Sequence, residues 1–268
     1  MESFVATGVR DVSRRGMVRL RGVASTALLL SGMLAVWGGP LAGPVAAATG
    51  DWSQFHNGPT HSGYNAQETT LSTSNVGALG LAWTGTTGSA IYFSSPTVAN
   101  GVVYVGSEDD KLYAYAAGCA SGGASCAPLW TAAAAGMVIA SPAVSNGVVY
   151  ISSYDDKVYA FDAAGVIGCS GSPKTCVPLW SANTGDHMYS SPTVAGGVVY
   201  VGSEDGKLYA FDAAGNTGCS GSPKVCSPLW TATTGALIEG SPAVSNGVVY
   251  IGSGDRKLYA FAAAGNTG

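Results

Sequence analysis

The chain has 268 residues and a formal net charge of -4, with 47% hydrophobic and only 10% charged residues, against roughly 25% charged in an average soluble domain. No Lys/Arg cluster follows residue 21, which argues against the basic surface that a nucleic acid or another polyanion needs. The 39 glycines, with many β-branched residues and few charges, point to an all-β chain with many tight turns.

Residues 1–48 read as a signal peptide. A basic stretch, Arg10 to Arg21, precedes an apolar run from Gly22 to Trp37, then Gly38, Gly39, Pro40 and a small-residue site at Ala46-Ala47-Ala48. These are the n-region, h-region and cleavage site of a secretory signal, with cleavage expected after Ala48. A membrane anchor is the alternative, but the run is shorter than the ~20 residues of a span and is diluted by Ser and Gly. Ser13-Arg14-Arg15-Gly16-Met17-Val18-Arg19 resembles a twin-arginine export signal. The mature chain is therefore expected to be secreted or extracytoplasmic. Residues 49–80 read as a lead-in and 81–268 as repeats.

Self-similarity sets the fold class. Trp130, Trp180 and Trp230 recur at a constant interval of fifty residues, with Trp83 before them, and Ser-Pro recurs at 95–96, 141–142, 191–192 and 241–242. One repeat reads as four strands. "SPAV" begins the first, and Asn146-Gly147 makes a two-residue hairpin turn. "VVYI" is the second, Asp155-Asp156 turns again, and "KVYAF" is the third. "PLW" opens the fourth. The second strand, Val148-Val149-Tyr150-Ile151, is apolar on both faces, so each sheet should lie between two neighbours. Four-stranded sheets stacked on copies of themselves describe a β-propeller; a solenoid is the runner-up.

The six cysteines fall as Cys119/Cys126, Cys169/Cys176 and Cys219/Cys226. An even count at fixed spacing in an exported chain predicts disulfides within each repeat. Zinc would need four ligands in one place, and no histidine or second cysteine pair shares a repeat loop.

The text "SPAVSNGVVYIGSGDRKLYAFAAAG" resembles the repeat of the PQQ-like (pyrroloquinoline-quinone-type) propellers, and "DWSQFHNGPTHSGYN" (Asp51 to Asn65) resembles their N-terminal lead-in. That family includes quinoprotein dehydrogenases, a bacterial outer-membrane assembly lipoprotein and many exported bacterial proteins. The resemblance implies a tryptophan-docking motif. Ala160-Phe161-Asp162 and Ala210-Phe211-Asp212 match its start, while Ala114-Tyr115-Ala116 and Ala260-Phe261-Ala262 lack the Asp. Trp83, Trp130, Trp180 and Trp230 are accordingly expected to dock between blades.

The family's dehydrogenases use an adjacent-cysteine disulfide, a Ca²⁺ site and a catalytic aspartate. This chain has no Cys-Cys dipeptide, and its acids sit mostly in repeated turns: Glu108-Asp109-Asp110, Asp155-Asp156, Glu204-Asp205 and Asp255. Turn structure explains them more simply than metal. His56, His61 and His187 form no argued nucleophile–base arrangement. No catalytic residue and no cofactor is therefore assigned; PQQ with calcium belongs only to an alternative reading as a quinone-dependent oxidoreductase or a degenerate fragment of one.

The segments before each Ser-Pro vary most: "GSAIYFS", "GMVIA", "GDHMYS" and "GALIEG". Variable loops on a constant scaffold are where binding usually resides. The expected binding face is Tyr92, Phe93, Met137, His187, Met188, Tyr189 and Glu239, which implies a non-catalytic binding or scaffold module for protein, cell wall or glycan. The last repeat stops at "AFAAAGNTG", where the preceding one continues into its cysteine loop. The expectation is an incomplete ring: an open four-blade arc from a truncated gene, or a half-ring that self-associates through its open edges.

Overall fold

The computed structural model describes residues 50–265; the expected signal peptide, twin-arginine motif and cleavage site lie outside the described residues. Among the described residues one short 3₁₀ turn, Val76–Ala78, interrupts an otherwise all-β fold. An isolated first strand, β1 (Trp83–Gly85), precedes four repeated units. The first unit holds β2 (Thr97–Ala99), β3 (Val102–Ser107), β4 (Lys111–Ala116), β5 (Ala124–Cys126) and β6 (Trp130–Ala133). The second holds β7 (Ala143–Ser145), β8 (Val148–Ser153), β9 (Lys157–Asp162), β10 (Cys169–Ser170), β11 (Thr175–Cys176) and β12 (Trp180–Asn183). The third holds β13 (Thr193–Ala195), β14 (Val198–Gly202), β15 (Lys207–Asp212), β16 (Cys219–Ser220), β17 (Lys224–Cys226) and β18 (Trp230–Thr233). The fourth holds β19 (Ala243–Ser245), β20 (Val248–Ser253) and β21 (Lys257–Ala262).

Each complete blade is an antiparallel meander, for example β13-β14-β15-β18. Its first hairpin turn needs positive φ at two consecutive residues. Asn146 and Gly147 supply this, at 50° and 76°. Two-sided burial follows the two-faced sequence. Val149 and Ile151 of β8 pack on the first blade with Tyr104 and Leu112, and Tyr150 packs on the third with Val199 and Phe211. Fully burying each such side chain contributes about 1.5–3 kcal/mol.

The three predicted disulfides form: Cys119–Cys126, Cys169–Cys176 and Cys219–Cys226. Such bonds belong to an oxidising, extracytoplasmic compartment. Their loops do more than join two strands of one blade. β11 pairs in parallel with β6 of the preceding blade, and β17 pairs likewise with β12. Each cysteine loop therefore reaches back to its predecessor. β1 pairs with β5 in the same parallel way, so it occupies the place of a preceding blade's outer strand. Among the described residues no strand pairs with β1 except β5, and β21 pairs only with β20.

The tryptophans dock across blades. Trp130 lies on Gly165 and Trp180 on Gly215, each glycine belonging to the following blade. A Cβ at Gly215 would stand 2.2 Å from Trp180 Cδ1, and the residue has φ +63°, so both space and backbone select glycine. The Asp162 and Asp212 carboxylates of the docking motif cap their own turns, accepting N–H bonds from Val166 and Ile167, and from Asn216 and Thr217.

The lead-in crosses the inner strands of all four blades. Trp52 forms an antiparallel bridge with Val98 of the first. The Ser53 carbonyl accepts the Val144 N–H of the second at 2.7 Å, and the Pro59 carbonyl accepts the Val244 N–H of the fourth at 2.7 Å. Between them the buried Gln54 side chain bonds both backbone groups of Val194 in the third. Its Nε2 donates to the carbonyl at 3.1 Å, and its Oε1 accepts from the N–H at 2.8 Å. These bonds cover inner edges that would otherwise offer unpaired groups.

The repeated acids have structural work. Asp109, Asp155, Asp205 and Asp255 each accept a tyrosine hydroxyl, from Tyr113, Tyr159, Tyr209 and Tyr259, at 2.5–2.6 Å. Each also pairs with the lysine two residues on. Burial opposes ionisation of Asp109 and Asp205, but the tyrosine and lysine partners outweigh it and hold both below the ordinary 3.8; the Tyr259 hydroxyl lowers Asp255 foremost. Carboxyls lowered on folding stabilise the protein above the unfolded value and lose that stabilisation as pH falls through the folded value. We expect the melting temperature to drop as pH falls below about 3.8. Asp205→Asn should be less stable at neutral pH with a shallower acid limb, which thermal melts across pH will read; an unchanged acid limb would remove Asp205 from this role.

Candidate functional site

The segments between blades enter at the end of the inner strands opposite their hairpin turns. Each sends one apolar residue inward: Val138, Met188 and Ile238 are fully buried. This corrects the expected binding face. Met188, at 0% exposure, belongs to the core between the second and third blades, where a ligand at the surface cannot touch it. The neighbouring positions point outward. Tyr92 and Phe93 are 75% and 66% exposed, Met137, His187 and Tyr189 are half-buried, and Glu239 is exposed.

Five rings form a continuous ribbon across this face. Tyr92 meets Phe93 with centroids 6.4 Å apart, and Phe93 meets Tyr189 edge-on at 6.3 Å. Tyr189 meets Tyr154 edge-on at 5.7 Å, and Tyr154 stacks on His187 at 3.9 Å and 19°. The ribbon joins residues of three successive repeats and ends on carboxylates. His187 Nδ1 lies 2.7 Å from Asp156 Oδ1 and 4.0 Å from Asp186 Oδ1. Met137 and Glu239 join no ring contact of the ribbon.

Electrostatics follow from this geometry. Desolvation opposes the His187 charge, but the bond to Asp156 and the charges of Asp156, Asp186 and Glu204 prevail and raise the imidazole above its ordinary 6.5. The Tyr154 hydroxyl contact is the first cause raising Tyr189, followed by burial. By contrast, burial first and then His56 lower His61, whose Nε2 lies 3.3 Å from Thr193 Oγ1 in the lead-in contact. Tyr154, Asp156 and Asp186 were missed by sequence reasoning. The signal was present: the turn reads Tyr154-Asp155-Asp156, where the other repeats have Glu108, Glu204 or Gly254 in place of the tyrosine.

Asp156, Asp186 and His187 offer ligand atoms within 4.8 Å of one another, the one such group among the described residues. It is half-exposed and already internally bonded. A calcium-bound quinone needs six to eight converging oxygens for its metal, and the resemblance adds an adjacent-cysteine disulfide. Here each cysteine pair is separated by seven positions and lies in a loop beside the preceding blade's outer strand. The donors present do not fit that group, and no step is derived through it. A cleft at the opposite end of the inner strands is lined by Asp51, Gln54, Asn100, Asn146 and Gly196. No helix among the described residues is long and apolar enough to cross a membrane.

Residues 52–167 match the family model described as outer membrane protein assembly factor BamB. No curated protein matches the chain. Among solved structures, BamB from Moraxella catarrhalis is 20% identical, with a TM-score of 0.53 over 69% of this chain and 51% of that one. The quinohemoprotein alcohol dehydrogenase from Comamonas testosteroni is 17% identical, with a TM-score of 0.63 over 82% of this chain and 41% of that one. A europium-containing methanol dehydrogenase is 18% identical, with a TM-score of 0.63 over 81% of this chain and 48% of that one. The chain thus spans about half the length of these structures or less, and at these identities they share its fold. The match over residues 52–167 places that segment with the PQQ-like repeats, and the solved structures share the β-propeller fold of the chain.

Proposed function

We propose that this chain is an exported, non-catalytic binding module that holds an extended segment of a partner protein along the ribbon from Tyr92 to His187. The observation that carries the reading is the run of mutually contacting rings, open to solvent at Tyr92 and Phe93 and flanked by Asp156, Asp186 and Glu239. Aromatic faces beside carboxylates favour side chains that are apolar or cationic, because a ring quadrupole and a carboxylate both attract an ammonium or guanidinium. Recognition centred on a few rigid aromatic anchors is the usual pattern of protein interfaces.

Panning a random peptide library against the purified chain tests this. The expected outcome is enrichment of peptides carrying Arg or Lys beside aromatic or aliphatic residues. Phe93→Ala with Tyr189→Ala should weaken the selected peptides at least about tenfold, the loss of one modest hot spot, without changing the melting temperature. Equal binding by the double variant would sink the reading, as would a library that yields no enriched sequence.

A further inference from the structure

The joint between the second and third units carries donors that the neighbouring joints lack. Asp156 comes from the turn between β8 and β9, and Asp186 with His187 from the connection after β12. Asp156 and His187 lie 31 positions apart and meet only through the fold. Matching backbone bonds align Asp186-His187 with Ser89-Ala90, Gly136-Met137 and Ala236-Leu237 in the other connections. None of those pairs carries an acid or a histidine. The connection therefore folds without either residue, and the cluster is an addition to the repeated scaffold.

The donors are held in place by their surroundings. The His187 ring stacks on Tyr154 at 3.9 Å and 19°, a tyrosine absent from the same turn of the other units. The Asp186 carboxylate accepts the His187 N–H at 2.9 Å. The Thr184 hydroxyl ties the two segments together, 2.9 Å from the Asp156 carbonyl and 3.1 Å from that of Asp186. Packing and outer bonds of this kind orient metal ligands. Charge points the same way. Among the described residues no Lys or Arg pairs with Asp156 or Asp186; the paired lysines all serve Asp109, Asp155, Asp205 and Asp255. Glu204 stands in the next turn, its N–H on the His187 carbonyl.

The spacing suits a small ion. His187 Nδ1 is 2.7 Å from Asp156 Oδ1 and 4.0 Å from Asp186 Oδ1. A tetrahedral ion with bonds of about 2.0–2.2 Å sets its donors about 3.3–3.6 Å apart. That separation falls between the two observed distances, so small side-chain rotations bring all three donors onto one ion. An imidazole with two carboxylates suits zinc and its neighbours, whereas calcium takes six to eight oxygens.

We propose that Asp156, Asp186 and His187 Nδ1 bind a zinc-type divalent cation, with a fourth position open to water or to a ligand on this face. The ion takes the place of the proton between His187 Nδ1 and Asp156. The site shares His187 with the ribbon but does not rest on the reading of a partner protein, because the ion binds the chain alone.

Titration calorimetry with Zn²⁺, on the full chain purified without added histidines, tests the site. The expected result is saturable binding of one ion per chain, undisturbed by a large excess of Ca²⁺ or Mg²⁺. His187→Ala and Asp186→Asn should each weaken it at least about tenfold, with melting curves in the absence of metal unchanged, since both side chains are half-exposed or more. His56→Ala, at an exposed histidine of the lead-in, should bind as the wild type does. A wild-type chain that shows no saturable binding would overturn the proposal. So would binding that survives His187→Ala, binding that Ca²⁺ displaces, or binding lost in His56→Ala. Should His187→Ala not fold, the near-isosteric Asp186→Asn decides alone.

Discussion

Trp180→Ala will lower the free energy of unfolding by about 3–5 kcal/mol, the range for truncating a buried large aromatic. Trp180 is almost fully buried, contacts Tyr150 and Phe211, and donates Nε1–H to the Ala213 carbonyl at 3.2 Å. It sits on Gly215, which a larger residue cannot replace because the indole fills the space. Truncation opens a cavity at the joint between the second and third blades and removes one of two donors to Ala213. Against a total stability of roughly 5–15 kcal/mol for a domain, this is a large fraction. Trp230→Ala should cost less, because Trp230 remains partly exposed. Urea unfolding followed by far-ultraviolet circular dichroism will read both. Equal losses at the two positions would show that burial does not set the effect.

Gln54→Leu is expected to destabilise by about 2–5 kcal/mol, because it strips partners from two buried backbone groups at once. The Gln54 amide imitates one rung of a β-ladder, giving Val194 a donor and an acceptor from a side chain. Leucine fills similar space and restores neither. Hydrogen exchange supplies a second readout. The Val194 amide should lose protection most, and those of Val98, Val144 and Val244 should follow as the lead-in loosens, since they bond to Trp52, Ser53 and Pro59 of the same segment. Protection lost at Val194 alone would show that the lead-in contacts act independently.

The blades were legible because their signals are local and repeated. Asn-Gly turns, two-faced second strands and the tryptophan interval all recur, and the cysteine spacing fixed the three disulfides. Other features left little trace. The strands β10, β11 and β16 are two residues long, too short for any periodicity, so the backward parallel pairing of the cysteine loops stayed hidden. Gln54 reads as an ordinary polar residue until its partner, 140 positions away, is beside it. Variation drew attention to Tyr92, Phe93, His187 and Tyr189, which the structure places in the ribbon, but not to Tyr154 or to the burial of Met188. Adjacent residues there alternate between core and solvent, so His187 and Tyr189 reach the surface while Met188 between them is buried.

The lead-in also orders events during synthesis. Every blade closes mainly through neighbours in sequence, so strands can pair as they emerge, whereas pairings across long separations form slowly. The earliest residues of the described fold, Trp52 to Pro59, must wait for the latest. Pro59 finds its partner only when Val244 has arrived. Until then the segment has no complete docking surface and stays accessible to proteases, so a chain halted before the fourth repeat is marked by a free lead-in. A segment that spans four successive inner strands thereby reports the arrival of the fourth, and its protection from cleavage measures how many chains have folded that far.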